Sequence, residues 1–464
     1  MLNRASLAFL GAAVLATGAV FGQNNLEDRD AAGRIQQLES RIAELEARQM
    51  AGSAEMAAAV DGVLRDADRR SQLLAAGGDA SAGYDSGFFI RAGDAWVLRP
   101  GVMFQFRHTA NWREDVDGDD SETEDGFELR RMRFDLAGVA FTKDLSYFFQ
   151  WESNREGGDT VLLEAWAKYM FSDQWGVRAG QFKDPVVHEF MMSVKRGLST
   201  DTSLLDNLLG GAATGYTQAA TVVYGNYAKD NPFYFEGGLT DGAAQLNTDF
   251  TGRPSPLPDP DPIVGASIGK HVFDFGLAGR AEYKFMGNWI DYGDFTAKGT
   301  KDRLFVVGAG GDWSQGGDGN QLVGTVDAQY ETPTGLGFYA AFIARHLDDA
   351  MSGRGEDTTD WGWVVQATYL FRPQWELFAR YDMVRYDQPV GFGGGGDEDT
   401  FHEVVLGLNY YLGTNGSAGH RAKITVDVTW LPNGVPMPVL NMDALDGNAG
   451  EMEIILKGQF QLLI

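Results

Sequence analysis

From about Trp96 to Ile464, polar and apolar residues alternate nearly one for one. Arg421, Lys423, Thr425, Asp427 and Thr429 interleave with Ala422, Ile424, Val426, Val428 and Trp430; Arg280, Glu282 and Lys284 interleave with Gly279, Ala281, Tyr283 and Phe285. Thr325, Asp327, Gln329 and Glu331 do the same with Gly324, Val326, Ala328 and Tyr330. A period of two gives a strand one wet and one greasy face. The runs extend to about ten residues, longer than the five or six usual in soluble sandwiches and long enough for a tilted strand to cross a hydrocarbon layer. The pattern therefore predicts an all-β fold, a transmembrane antiparallel β-barrel.

Sixteen strands are expected, near 96–112, 126–140, 143–154, 160–171, 174–183, 216–226, 232–240, 274–288, 302–314, 319–331, 335–347, 360–371, 374–387, 399–412, 418–431 and 451–464. Long connections then fall largely at one end: the acidic EDVDGDDSETEDG stretch, segment 184–215, the RPSPLPDPDP region, DDAMSGRGEDTTD, 388–398 and 432–450. Membrane barrels have such an alternation of long loops and short turns. Segment 289–301 is long for a turn and 315–318 short for a loop, which leaves eighteen strands as the alternative. YMFSDQW at 169–175 and YLFRPQW at 369–375 echo each other, and both fall at short turns, where aromatic girdles are expected. The last strand places Met452, Ile454, Leu456, Phe460, Leu462 and Ile464 on one face and Glu453, Lys457, Gln459 and Gln461 on the other. A strand that ends the chain must close the barrel.

The N-terminus follows other rules. Arg4, an apolar run from Ala5 to about Phe21, and small residues before Gln23 have the order of a signal peptide, residues 1–22. In segment 23–50, Ile35, Leu38, Ile42 and Leu45 fall at a, d, a and d of a heptad, with Glu39 and Glu46 at e and Arg34, Arg41 and Arg48 at g. That spacing predicts a short α-helical, parallel coiled coil, too brief to set its own oligomer state. Residues 51–95 read as a linker and 96–464 as the barrel.

Composition narrows the chemistry. The chain has no cysteine, which removes disulfides, thiolate metal sites and N-terminal lipidation. A net charge of −27 argues against nucleic acid as a partner. No enzyme signature emerges: the His-Glu pairs at 188–189 and 402–403 lack the second histidine of a zinc helix, and no G-x-S-x-G elbow occurs. The DVDGDD loop lacks the correctly placed glycine and glutamate of a calcium hand. No cofactor and no metal are expected.

FELRRMRFDLAGVAF at 127–141 and VRAGQFKDPVVHEF at 177–190 resemble the phosphate-selective porin family, the O and P porins. The resemblance implies a trimeric sixteen-stranded barrel in the cell outer membrane, surrounded by its lipid, with the coiled coil in the periplasm. It also implies a constricting third external loop and a file of basic residues that guides phosphate among other small hydrophilic solutes or ions. Carried over onto this sequence, the pore-lining set is Arg107, Arg131, Arg133, Lys183, Lys195 and Arg196. The strand period puts Asp135, Glu152, Glu164, Glu282, Asp327, Asp382 and Glu403 on the inward face too, so the wall is mixed and the favoured reading of any single arginine is a lumenal residue paired with a strand neighbour, selecting nothing. A passive porin is the leading expectation; a structural protein tethering the membrane to the cell wall through the coiled coil is the alternative.

Overall fold

The structure is a computed structural model that describes Arg41 and residues 80–85, 87–113, 123–153, 158–248, 273–352, 355–390, 398–445 and 451–464. The predicted signal peptide, coiled coil and most of the linker lie outside the described residues. The chain divides into two units, residues 1–78 and 79–464, and among the described residues every strand belongs to the second.

Eighteen strands share one sheet. A short hairpin, β1 (Ala80–Tyr84) and β2 (Phe88–Ala92), precedes sixteen longer strands. These are β3 (Trp96–Arg113), β4 (Thr123–Ala140), β5 (Thr142–Ser153), β6 (Thr160–Met170), β7 (Trp175–Lys183), β8 (Tyr216–Tyr224), β9 (Phe233–Thr240) and β10 (Phe275–Met286). Then follow β11 (Leu304–Gly316), β12 (Gly319–Glu331), β13 (Leu336–Leu347), β14 (Thr358–Arg372), β15 (Trp375–Arg385), β16 (Thr400–Tyr411), β17 (Ala422–Leu431) and β18 (Glu453–Leu463). Each of the sixteen pairs antiparallel with its sequence neighbour, and β18 returns to β3 from Glu453↔Arg113 to Leu463↔Met103. That last ladder closes a sixteen-stranded antiparallel barrel. The two further strands form the hairpin, which pairs with β3 only at its start, so the eighteen-strand barrel does not arise.

The faces sort as the period requires. Thr425, Asp427 and Thr429 are buried while Val426, Val428 and Trp430 between them are exposed. The same holds for Val405 against Leu406 and for Arg280 against Leu277 and Tyr283. Exposed apolar side chains thus ring the outside and polar ones fill the inside, the inverse of a soluble protein.

Turns at one end are short and aromatic. The echoed sequences both sit there, and their glutamines act alike: the Gln174 carbonyl accepts from the Gly225 amide at 2.8 Å, and the Gln374 carbonyl from the Tyr411 amide at 2.8 Å. Trp175 meets Tyr224, and Trp375 meets Tyr410, with ring centroids 4.8 and 4.6 Å apart. β4 reverses into β5 through Phe141 alone, at φ 63°, a conformation rare for a bulky side chain. Its ring packs edge-on against Trp96 at 4.5 Å, which holds the turn.

The two awkward connections resolve differently. Residues 317–318 make a tight hairpin, with Gly317 at φ 56° supplying the left-handed turn. Residues 287–303, by contrast, fold back into the barrel from the turn end and bury Trp289, Tyr292, Phe295, Thr296 and Thr300.

Candidate functional site

Segment 184–215, between β7 and β8, enters the lumen from the loop end. Its short helices, His188–Met191 and Leu204–Leu208, bury Leu204, Leu205, Leu208 and Leu209 with Val364, Val384 and Phe401. The rest is held through polar groups of the wall. Arg280 donates to the Val186 carbonyl at 3.0 Å, Gln461 to that of Lys195 at 2.8 Å, and Asn409 to that of Leu198 at 2.8 Å. Arg380 donates to Ser199 Oγ at 2.8 Å and to the Asp201 carbonyl at 3.1 Å; Lys423 donates to the Gly197 carbonyl. The amides of Thr200 and Leu204 donate to Asp427 at 2.9 Å and Glu403 at 3.2 Å. An irregular backbone in a polar lumen needs such partners for its own N–H and C=O groups.

Within this frame the neighbouring strands β18, β3 and β4 present a basic patch. Arg107 on β3 is fully buried: one nitrogen reaches Asp201 Oδ1 at 2.7 Å and the Thr200 carbonyl at 3.0 Å, and another reaches Asp443 Oδ2 at 2.9 Å. Lys457 on β18 holds the other Asp201 oxygen at 2.9 Å, and Arg130 Nε lies 3.7 Å from Asp201 Oδ1. Burial alone would raise the Asp201 carboxyl, but Arg107, Lys457, Arg130 and Arg131 hold it well below the usual carboxylate range.

Arg130 is a site residue that strict alternation does not predict. The ladder between β3 and β4 pairs Gln105 with Arg131 and Phe106 with Leu129, so Arg130 is the extra residue of a β-bulge. The bulge turns it inward, 3 % exposed, beside Arg131. The consecutive pair in LRRMR carried the signal, because two adjacent arginines on a regular strand would put one in lipid, at a cost of about 2–4 kcal/mol near the midplane.

The six residues expected from sequence do not all gather in one place. Arg107 and Arg131 belong to the basic patch, with Arg131 donating to Gln105 Oε1 at 3.1 Å. Arg133 pairs with Glu152 at 2.6 Å, its direct cross-strand partner on β5. Lys183 turns to the loop's own backbone, donating to the carbonyls of Phe190 at 2.7 Å and Met192 at 2.8 Å. Lys195 and Arg196 share the 3-10 turn Val194–Arg196; Lys195 pairs with Asp135 on β4, and Arg196 is exposed. The acidic wall positions are as the period placed them, with Glu282, Asp327, Asp382 and Glu403 buried.

Segment 287–303 comes from the opposite mouth and meets segment 184–215. His188 stacks on Tyr292 with centroids 4.1 Å apart and lies edge-on to Phe295 at 5.6 Å. The Tyr292 hydroxyl accepts from Arg280 at 3.1 Å and donates to Glu282 at 3.2 Å. The Arg196 guanidinium reaches Gly293, taking the space a Cβ would need there. His420 Nε2 lies 3.6 Å from Asp294, yet burial, with Lys423, Arg196 and Lys298 nearby, keeps this imidazole neutral, so the contact is no ion pair. A cavity of about 40 Å³ lies where Arg131, Glu189, Ser199, Asp201, Phe295 and Gln366 converge. Trp289, Tyr292 and Phe295, three aromatics within one connection, were the sequence signal for this inward fold.

The sequence matches the family described as phosphate-selective porin O and P over residues 106–417. No curated protein matches it. Among solved structures, it is similar in fold to an anion-selective porin from Comamonas acidovorans, at TM-score 0.50 and 11% identity, over 79% of this chain and 100% of that one. OmpF of Salmonella typhi in complex with daunomycin is similar at TM-score 0.50 and 14% identity, over 82% and 100% of the two chains. OprB of Pseudomonas putida is similar at TM-score 0.52 and 11% identity, over 79% and 94%.

Proposed function

This chain belongs to the phosphate-selective porin O and P family, and on that premise we propose that it is a passive outer-membrane porin for small hydrophilic solutes that favours anions, phosphate included. The observation that carries the preference is Arg131, which lines the cavity beside segment 184–215 with Gln105 Oε1 as its hydrogen-bond partner, in a patch whose other cations, Arg107, Arg130 and Lys457, gather on Asp201. Carboxylates also line the lumen, but several stand against cations: Glu152 against Arg133, Asp327 against Arg280, and Glu403 against Arg380. Such pairs shape the wall without giving it a net sign.

On this reading the long connections are external and the short turns periplasmic, as in outer-membrane barrels generally. Segment 184–215 is then the third external loop. An anion entering past it meets Arg131, the patch residue that lines the cavity, while Arg107 is fully buried against Asp201 and Asp443. Arginine suits this role because its planar fork matches two oxygens of phosphate or carboxylate at once. The protein acts as a homotrimer with its hairpin and N-terminal segment in the periplasm.

Purified protein in planar bilayers under a KCl gradient tests the reading. Stepwise conductance with a zero-current potential of chloride-selective sign is expected, and Arg131→Ser should move that potential toward cation selectivity. A silent bilayer would end the porin assignment; a cation-selective potential would end the anion preference alone.

A further inference from the structure

Three cationic groups converge on one carboxylate that belongs to a loop rather than to the wall. Asp201 Oδ1 meets Arg107 at 2.7 Å and lies 3.7 Å from Arg130, while Oδ2 meets Lys457 at 2.9 Å. Arg107 and Lys457 come from β3 and β18 and Arg130 from the β4 bulge, all rigid parts of the barrel. Asp201 comes from segment 184–215, whose neighbouring residues Ser199 and Thr200 line the cavity at Arg131 with it. The groups around Asp201 are not all cationic: Asp443 shares Arg107, and Asp427 accepts from Thr200.

Both Asp201 oxygens are engaged by fixed cations of the wall, which is how a small carboxylate solute would sit. We infer that Arg107, Arg130 and Lys457 form a carboxylate-binding site that Asp201 occupies at rest, as a tethered ligand that a small carboxylate solute must displace in order to bind. A tethered group competes at a high effective concentration, so it lowers the apparent affinity of the free solute by the fraction of time the site stands empty. Displacement also removes the contacts by which Arg107 holds Thr200 and Asp201, so binding and loosening of the loop are one event. The inference rests on the porin reading and adds to it a ligand class and an internal competitor.

Succinate inhibition of chloride current through the reconstituted trimer tests it, with phosphate run in parallel. In Asp201→Asn the loop keeps its length but loses the competing charge. Half-inhibition by succinate is expected at about tenfold lower concentration than in wild type, the shift for a site occupied nine-tenths of the time. Asp201→Glu, which retains the carboxylate, should stay near wild type. Asn207→Ala loosens the same loop at the Thr202 and Ser203 carbonyls without changing its charge, and should leave succinate half-inhibition unchanged. Equal half-inhibition in Asp201→Asn and wild type overturns the inference, as does an equal shift in Asn207→Ala, which would make Asp201 a staple only. If phosphate shifts and succinate does not, the carboxylate class is wrong. A wild-type channel that passes no chloride fails the porin reading instead, and the two failures are distinct.

Discussion

Arg133 illustrates what a single inward charge does in this barrel. It faces Glu152 directly across two strands and is almost fully buried. Removing one partner leaves the other charge buried without compensation, which is far costlier than losing both. Glu152→Ala should therefore lower stability by roughly 3–5 kcal/mol, measured as the urea midpoint of unfolding from lipid vesicles, whereas Arg133→Met combined with Glu152→Met should recover most of the loss. Sequence alternation placed both residues inward without revealing that they neutralise each other. It missed Arg130 outright, because one extra residue in a ladder shifts the phase locally and leaves the pattern intact on either side. The contribution of Asp201 was equally hidden: a loop carboxylate has no period, and its position depends on contacts with β3 and β18, which lie at opposite ends of the chain.

At the scale of elements, strands were legible and the lumenal segments were not. A strand in a barrel is fixed by a rule that runs along it, lipid on one side and water on the other, so its sixteen instances could be read one by one. Segment 287–303 obeys no such rule; its place follows from aromatic burial against His188 and Tyr339 and from Thr300 donating to Glu331 at 2.7 Å. Its docking carries a pH dependence. Burial raises the Asp294 carboxyl to about 7, opposed by the Thr296 amide and Arg196 and assisted by Glu376 and Asp291. A carboxyl whose folded pKa exceeds its unfolded one binds more protons when docked, so docking is strongest below the unfolded pKa and weakens as pH climbs to the folded one. Protection of residues 287–303 from amide exchange should therefore fall between about pH 4 and pH 7 and level off above, and Asp294→Asn should flatten that slope.

For the molecule as a whole, closure is the decisive step, since an open sheet in hydrocarbon would leave a row of backbone groups without partners. Only the β3–β18 ladder removes both edges. Deleting residues 453–464 should abolish the heat-modifiable, detergent-resistant band of the folded barrel on electrophoresis, whereas removing the β1–β2 hairpin should leave it. The overall charge of −27 gave no hint of the basic patch, because net charge averages over exposed loops and lumen alike. Selectivity in a pore is set by the few side chains a solute passes within a Debye length, about 8 Å in physiological salt, and there the sign is local.

The stacked contact between His188 and Tyr292 joins a segment that enters from one compartment to a segment that enters from the other. Neither can leave the lumen without stripping apolar cover from its counterpart. The two segments therefore share one seam of buried surface, and Tyr292→Ala should lower amide protection in residues 184–215 as well as in 287–303.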